Sequence, residues 1–537
     1  MENSKQNIWL PLIATACIAL GLVMGYTVSN SRRYYGRSAN PAAGLNKIDY
    51  TLGLIQSAYI DSIPSDTLIE ALMPELMAQL DPHSVYIPAS DMQAVNEPLD
   101  GEFDGIGVIF NMTTDTVVVL NIIAGGPSYK AGIMPGDRII TIGSDTVSGR
   151  HIEQDDIVGR LRGKRGTVVN VGIERQNVKG LVKVDITRDK IPVKSIDAAF
   201  IIQPTIGYVK LTSFSRNTHK EFVEAVTKLK KQGMERLVLD LRGNSGGFLD
   251  QAIMIADELL PAQKPIVYTK DRAGHEEREY STGKGSLQQL PLVVLIDEYS
   301  ASSSEILTGA IQDNDRGTVV GRRSFGKGLV QSQIPFPDGS AIRLTVARYY
   351  TPTGRSIQKP YRRGQAGYED DIYNRYMGGQ FFSADSIHFA DSLRYTTPGG
   401  KTVYGGGGIM PDVFVPLDTL EMTPYYYTVT GKNILYKYTL DYTDAHRARI
   451  NRIKTLEELQ KFLDADSGLL EDFVAYASRQ GVRPDRKQIA KSGRLMTALL
   501  RAYIGRNTEL QDEGYFANIR PVDAALLKAL DVVSEER

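Results

Sequence analysis

With a single cysteine, Cys17, among 537 residues, the chain can form no internal disulfide and no cysteine-ligated zinc site in its folded part. Histidine is nearly as scarce, with six in all, and none stands at a strand end where a Ser-His triad would need one. An excess of charge is also missing: 62 Lys and Arg balance 63 Asp and Glu, with no basic block in any segment. A protein that tracks nucleic-acid backbones needs such a block, so nucleic acid is excluded as a partner. No motif calls for a cofactor or a metal. The spacing Gly321-x-x-x-x-Gly326-Lys327 suggests a P-loop, but Gly328 occupies the place of the magnesium-binding Ser or Thr, and a strand rather than a helix is expected to follow.

What is present is a multidomain chain of ordinary composition, 42% apolar and 23% charged, long enough for several hydrophobic cores. From Ile8 to Val28 no charge occurs, and about 21 residues at roughly 1.5 Å each cross a bilayer's hydrocarbon core. Residues 1–30 are therefore read as an uncleaved transmembrane signal-anchor, with a cleaved signal peptide as the alternative. Lys5 precedes this stretch and Arg32, Arg33 and Arg37 follow it, so the positive-inside count alone would leave the body of the protein in the cytoplasm. Residues 31–46 form a polar linker, and 47–100 a small helical segment ending near Asp81-Pro82, where proline disfavours helix in the residue before it.

Residues 101–190 change to short β-rich runs separated by glycine-bearing turns, with one helix at Gln154–Leu161. Residues 191–417 alternate strand and helix, as in a layered α/β domain, and 418–537 become helical again, with Thr455-x-x-Glu458 as a capping box. The last segment is read as an accessory domain.

In such α/β domains ligands sit beyond the carboxyl ends of the strands. Two unusual loops lie there, Arg242-Gly-Asn-Ser-Gly-Gly247 and Glu298-Tyr-Ser-Ala-Ser-Ser-Ser304, each followed by a helix. Ser302 would stand where free N–H groups at a helix start can stabilise an oxyanion, although serine at that place is more often a plain cap, as Ser304 with Glu305 would be. The glycines of the first loop let main chain approach a ligand and supply further N–H donors. With histidine unavailable, the base falls to Lys327. If Lys327–Gln331 is a strand, alternation puts Lys327 and Gln331 on one face. Such a lysine must be brought from about 10.4 to about 7, a differential cost of roughly 4 to 5 kcal/mol, which burial without a carboxylate partner imposes.

Six ordered stretches resemble the C-terminal processing, or tail-specific, peptidases: Leu80–Tyr86, Gly101–Val108, Gly126–Gly132 with Pro135–Asp137, Asp240–Gly247, Ser300–Ile306 and Phe325–Gln331. The resemblance covers about Lys47 to Pro416. It implies a crotonase/ClpP-like α/β protease core with an inserted PDZ-like β domain. It further implies Ser302 as nucleophile, Lys327 as general base and Gln331 as the residue orienting the lysine. The implied oxyanion donors are the N–H of Ser303 and of either Gly246 or Gly247, and Ser303, where alanine is common, is expected to contribute only its N–H. Gly105, Ile106, Gly107 and Val108 would receive a substrate's terminal carboxylate. His83 is read as structural.

The resemblance also implies an exported enzyme, held in the inner membrane by its single span with the catalytic domain in the periplasm or a comparable space. Its partners would be proteins or peptides with apolar C-termini, with a homo-oligomer as a further expectation. The competing classes are a catalytically silent PDZ adaptor and a crotonase-type acyl-CoA enzyme. Two features fall outside the shared motifs: an insertion at 361–402 and the helical tail.

Overall fold

The computed structural model describes residues 42–535 except 113–114, 124, 176–177, 362–366 and 369, with side chains from residue 47 onward. The anchor expected at residues 1–30 and most of the linker at 31–46 lie outside the described residues. Among the described residues no helix is long and apolar enough to cross a membrane. The chain divides into two units, residues 1–76 and 77–537. The first contributes helix Ala42–Ala58 and most of helix Ser65–Ala78, in keeping with the short helices expected there.

In the second unit the central sheet has six strands, in the order Ile196–Gln203, Ile206–Leu211, Arg236–Asp240, Leu292–Ile296, Thr318–Gly321 and Val413–Phe414. The first pair is antiparallel and every later pair parallel. All residues of Ile206–Leu211 and of Leu292–Ile296 are buried, as unbroken apolar runs between two covered faces should be. Alternation divides these strands between the faces. Leu237, Leu239, Leu292 and Val294 pack with Phe222, Val226, Ala252, Ile255, Ile306 and Leu307, from helices Thr218–Lys231, Leu249–Leu259 and Ser303–Asp313.

Val238, Val293, Leu295 and Val320 face the opposite side, where helix Ala524–Glu535 supplies Ala525, Leu526, Ala529, Leu530 and Val533. The last helix is thus a layer of the central α/β domain. Only the preceding helices, with Val429, Leu435, Leu459, Phe473, Met496 and Leu500, form a separate core. The Thr455 capping box is present, with Glu458 N–H donating to Thr455 Oγ1 at 3.2 Å and Thr455 N–H to the Glu458 carboxylate at 3.1 Å.

A second, antiparallel sheet joins Val85–Ile87, Ala341–Tyr350, Pro265–Asp271 and Glu276–Tyr280, with Leu329–Pro335 also paired to Ala341–Tyr350. Residues 108–187 form the expected compact β module. Its strands run in the order Val108–Asn111, Val117–Ile122, Arg138–Ile142, Val168–Glu174 and Val182–Thr187 around a core of Val119, Ile139, Ile157, Val171 and Ile186. Helix Gln154–Leu161 lies where the sequence predicts it, and strand Val108–Asn111 is at one edge of this sheet.

Candidate active site

The two glycine- and serine-rich loops follow strands Arg236–Asp240 and Leu292–Ile296, which are parallel neighbours, so both arrive at the same end of the sheet. Serine hydroxyls fasten one loop to the other. Ser300 Oγ donates to the Leu241 carbonyl, Ser303 Oγ to that of Gly247 and Ser304 Oγ to that of Asn244, each at 2.9 Å. Ser303 therefore contributes its hydroxyl as well as its main chain, a correction to the expectation that only its N–H matters.

Ser302 is the N-cap of helix Ser303–Asp313 and has φ 53° and ψ −115°. For a residue with a Cβ this left-handed region costs on the order of 1–3 kcal/mol. The surrounding bonds fix it: Ala301 N–H donates to the Asn244 carbonyl at 2.9 Å, and Ser302 N–H to Glu305 Oε2 at 3.0 Å. Gly246 lies directly against it, since a Cβ there would stand 2.7 Å from Ser302 Cβ and 2.9 Å from the Ala301 carbonyl. Gly247, at φ 145°, is equally confined, with the Phe214 carbonyl 2.2 Å from where its Cβ would be.

The two glycines differ in what their N–H groups do. Gly246 N–H donates to Asn244 Oδ1 at 2.9 Å. Among the described residues no acceptor takes the N–H of Gly247 or of Ser303. Of the three candidate donors, those of Gly247 and Ser303, on the two loops joined by the Ser303 hydroxyl, are left for a ligand.

Ser302, Ser303, Gly247 and Lys327 line one cleft of about 800 Å³, together with Gln331, Leu249, Ile253, Ile306, Val330 and Tyr349. Lys327 does not lie in a strand: Leu329–Pro335 begins two residues later, and the register shifts between Val330 and Gln331. Alternation is therefore not what pairs Lys327 with Gln331. The lysine reaches across from the loop, and its Nζ donates to Gln331 Oε1 at 3.1 Å. No hydrogen bond joins it to Ser302, and no carboxylate forms an ion pair with it, among the described residues. Burial holds the Lys327 amine below the usual lysine range, and the charge of Arg343 adds to this, while Asp81 and Glu305 oppose it.

Gln331 is oriented in turn by its Nε2, which donates to the His83 carbonyl. Asp81 shapes that turn by accepting the N–H groups of His83 and Ser84 at 2.9 and 3.0 Å and the Ser84 hydroxyl at 2.6 Å. His83 Nε2 lies 2.9 Å from Tyr368 Oη, and burial, then the nearby Lys327, brings its imidazole down to about 4. It serves through its carbonyl and its packing, in keeping with a structural reading.

Glu305 is the residue that sequence reasoning passed over, by pairing it with Ser304. Fully buried, it forms a capping box with Ser302 and accepts from Ser324 Oγ, Gly326 N–H at 2.7 Å and Lys327 N–H at 2.8 Å. Burial raises its carboxyl to about 7, against the pull of those bonds. The signal was present as the spacing Ser302-x-x-Glu305.

In the β module, Gly105 ends strand Glu102–Gly105, Ile106 is buried, Gly107 takes φ 72°, and Val108 begins the edge strand. The carbonyls of Ile106 and Gly107 accept from Ser128 and Ile123 N–H at 2.9 and 3.0 Å, which sets the turn.

A PDZ-type module inserted ahead of a parallel α/β core, with the loops of that core gathered around a strained serine, places the chain in the class of modular α/β enzymes. The sequence comparisons carry this to a family. A model of peptidase family S41 matches residues 205–373, a PDZ domain model matches 105–186, and a family of unknown function, DUF8443, matches 425–508. A carboxy-terminal-processing protease of Bartonella bacilliformis is 37% identical over 310 residues, 57% of this chain and 70% of that protein. The carboxy-terminal processing protease CtpB of Bacillus subtilis is 33% identical over 318 residues, 59% of this chain and 66% of that one. Among solved structures, a photosystem II D1 C-terminal processing protease is 26% identical, with 69% of this chain and 87% of that chain covered and a TM-score of 0.37. The chain belongs to the carboxy-terminal processing proteases of peptidase family S41, a family of serine peptidases.

Proposed function

We propose that the protein is an endopeptidase that hydrolyses peptide bonds through Ser302, with Lys327 as general base. The observation that carries this reading is the cleft itself. It brings a serine in a strained helix-start conformation together with two unused N–H groups and a buried amine whose hydrogen-bond partner is a neutral amide. Ser302 Oγ attacks the scissile carbonyl carbon and its proton passes to Lys327 Nζ. The tetrahedral oxyanion is received by the N–H groups of Gly247 and Ser303, with Gly246 serving as the spacer against which Ser302 packs. Lys327 returns the proton to the leaving amine, and the acyl-enzyme is then hydrolysed by a water that Lys327 deprotonates. Gln331 keeps the amine oriented without adding a charge.

The apolar wall of Leu249, Ile253, Ile306 and Val330 supports apolar side chains next to the scissile bond. The PDZ module supports capture of C-terminal tails: strand Val108–Asn111 lies at a sheet edge, where an extended peptide can add, and Gly105–Val108 form the turn that would hold the carboxylate. We further propose a crotonase/ClpP-like ancestry for the core, residues 1–30 as an inner-membrane anchor, an extracytoplasmic catalytic domain and assembly into a homo-oligomer. Protease accessibility in intact cells and light scattering of the purified protein test the last three.

The reaction is tested by mass spectrometry of an unstructured protein with an apolar C-terminus, incubated with wild type, Ser302→Ala or Lys327→Ala. Cleavage by wild type alone is expected. Cleavage surviving in both variants would overturn the assignment, and tail binding without cleavage by any form would favour an adaptor.

A further inference from the structure

The loop that carries Lys327 is held from two sides, and one side belongs to the insertion at 361–402. Every peptide group from Ser324 to Lys327 has a partner, although none is in a helix or strand. Of the N–H groups, Ser324 donates to the Ile409 carbonyl and Phe325 to that of Ser300, both at 3.0 Å, while Gly326 and Lys327 donate to Glu305. Of the carbonyls, that of Gly326 accepts Lys359 N–H at 2.9 Å and that of Lys327 accepts Tyr349 Oη. The remaining two belong to one side chain. Arg375 Nη1 donates to the Ser324 carbonyl at 2.7 Å, and its Nη2 to the Phe325 carbonyl at 3.0 Å.

Arg375 stands on helix Asp371–Met377, inside the insertion and two residues beyond the stretch that matches the peptidase family. Its side chain is 4% exposed, and Asp371 balances its charge at 2.9 Å. A guanidinium is suited to this place because its planar fork addresses two neighbouring carbonyls at once, which a lysine ammonium cannot do with the same geometry. Burying a cation is costly, and here the buried guanidinium lies under the loop that carries the proposed base, where the loop's position matters. The insertion reaches the opposite end of the same assembly as well, through the bond of Tyr368 Oη to His83, whose carbonyl holds Gln331.

We propose that Arg375 is a positioning residue for the general base: by clamping the carbonyls of Ser324 and Phe325 opposite Glu305, it fixes where the Lys327 side chain leaves the main chain. This rests on the assignment of Lys327 as base. The insertion is accordingly part of the catalytic apparatus, although Arg375 touches neither substrate nor the reacting atoms.

The test uses the full chain with Arg375→Gln and Arg375→Lys, assayed per folded molecule on the unstructured substrate, with fluorophosphonate labelling of wild type read by mass spectrometry. Labelling at Ser302 that Lys327→Ala abolishes establishes the underlying reading separately; labelling elsewhere would remove that reading and this proposal together. With Ser302 labelled, Arg375→Gln is expected to lower kcat about tenfold or more at a KM within about twofold, because misplacing a reacting group slows chemistry without weakening binding. Arg375→Lys should recover part of the loss. Wild-type kcat in folded Arg375→Gln would overturn the proposal, and where that variant fails to fold, wild-type kcat in Arg375→Lys would do so. Amide exchange reads the loop itself: exchange at Gly326 and Lys327 is expected to be faster in folded Arg375→Gln than in wild type, and equal exchange in the two would refute the clamp.

Discussion

Glu305 accepts the backbone N–H of Ser302 at 3.0 Å with the same carboxylate oxygen that accepts the N–H of Lys327 at 2.8 Å. One buried oxygen thus sets the separation between the proposed nucleophile and the proposed base. A glutamine cannot reproduce this, because its amide has one acceptor oxygen and its NH₂ would face donors. We expect Glu305→Gln to fold less stably and to lose at least about a hundredfold in kcat, as measured by steady-state proteolysis.

The pH dependence has a definite sign. Lys327 must be neutral and Glu305 ionised for the arrangement described, the first being favoured by its lowered affinity for protons and the second opposed by a carboxyl raised to about 7. Both requirements fail in the same direction, so activity should fall as pH drops. The acid limb of log kcat/KM should be steeper than a single ionisation allows, whereas a limb of unit slope would show that Glu305 does not titrate with function. The same carboxyl, raised in the folded state, favours folding at low pH and loses that contribution as pH rises through about 7.

Arg343 lines the cleft, and its charge helps keep the Lys327 amine deprotonated, after burial itself. In Arg343→Gln the amine should hold its proton to higher pH. The acid limb is then expected to move to higher pH while the plateau above it is kept, a pattern that loss of substrate contacts alone would not give.

Gly246 and Gly247 should tolerate no side chain. Alanine at 246 would bring its Cβ to 2.7 Å from Ser302 Cβ at φ 103°, and alanine at 247 to 2.2 Å from the Phe214 carbonyl. Each is expected to abolish measurable proteolysis and to lower stability by about 1–3 kcal/mol, read by denaturant unfolding. Retained activity in Gly247→Ala would remove its N–H from the proposed oxyanion site.

On helix Ala524–Glu535, Leu526 is fully buried against the central sheet. Leu526→Ala should destabilise the protein by about 2–5 kcal/mol, as a core truncation does. A change near zero would mean that this helix is not part of the cooperative unit that unfolds with the sheet.

Much of the core was legible because parallel buried strands and amphipathic helices write strong periodic patterns. Strands Ile206–Leu211 and Thr318–Gly321 stand where the sequence predicts strands, at 206–211 and 318–321, and helix Ser303–Asp313 begins one residue ahead of the helix the sequence predicts at 304–313. Strands Ile196–Gln203, Pro265–Asp271 and Glu276–Tyr280 were not read from the sequence. The last is exposed at every residue and owes its form to pairing with Pro265–Asp271. The meeting of Lys327 with Gln331 was anticipated, but for the wrong geometric reason, since the lysine reaches in from a loop ahead of the strand rather than by alternation along it. Glu305 and Arg375 escaped for a common cause. Each acts through backbone groups of a distant loop, and although the spacing Ser302-x-x-Glu305 signals a cap, a sequence carries no sign of which distant main-chain atoms a side chain will reach.

The contribution of helix Ala524–Glu535 to the central sheet has a consequence for folding order. Arg520 Nη1 donates to the Ile202 carbonyl across 318 positions, and Arg242, beside the proposed oxyanion loop, is held by both oxygens of Asp523 at 2.8 and 2.9 Å. Contacts so distant in sequence form late, because a long loop must close before they repay its entropy. A chain folding as it is delivered from its N-terminus would therefore form its PDZ module, which is local in sequence, well before the proposed hydrolytic cleft could be braced. We expect a folding intermediate that retains a native PDZ module and lacks activity.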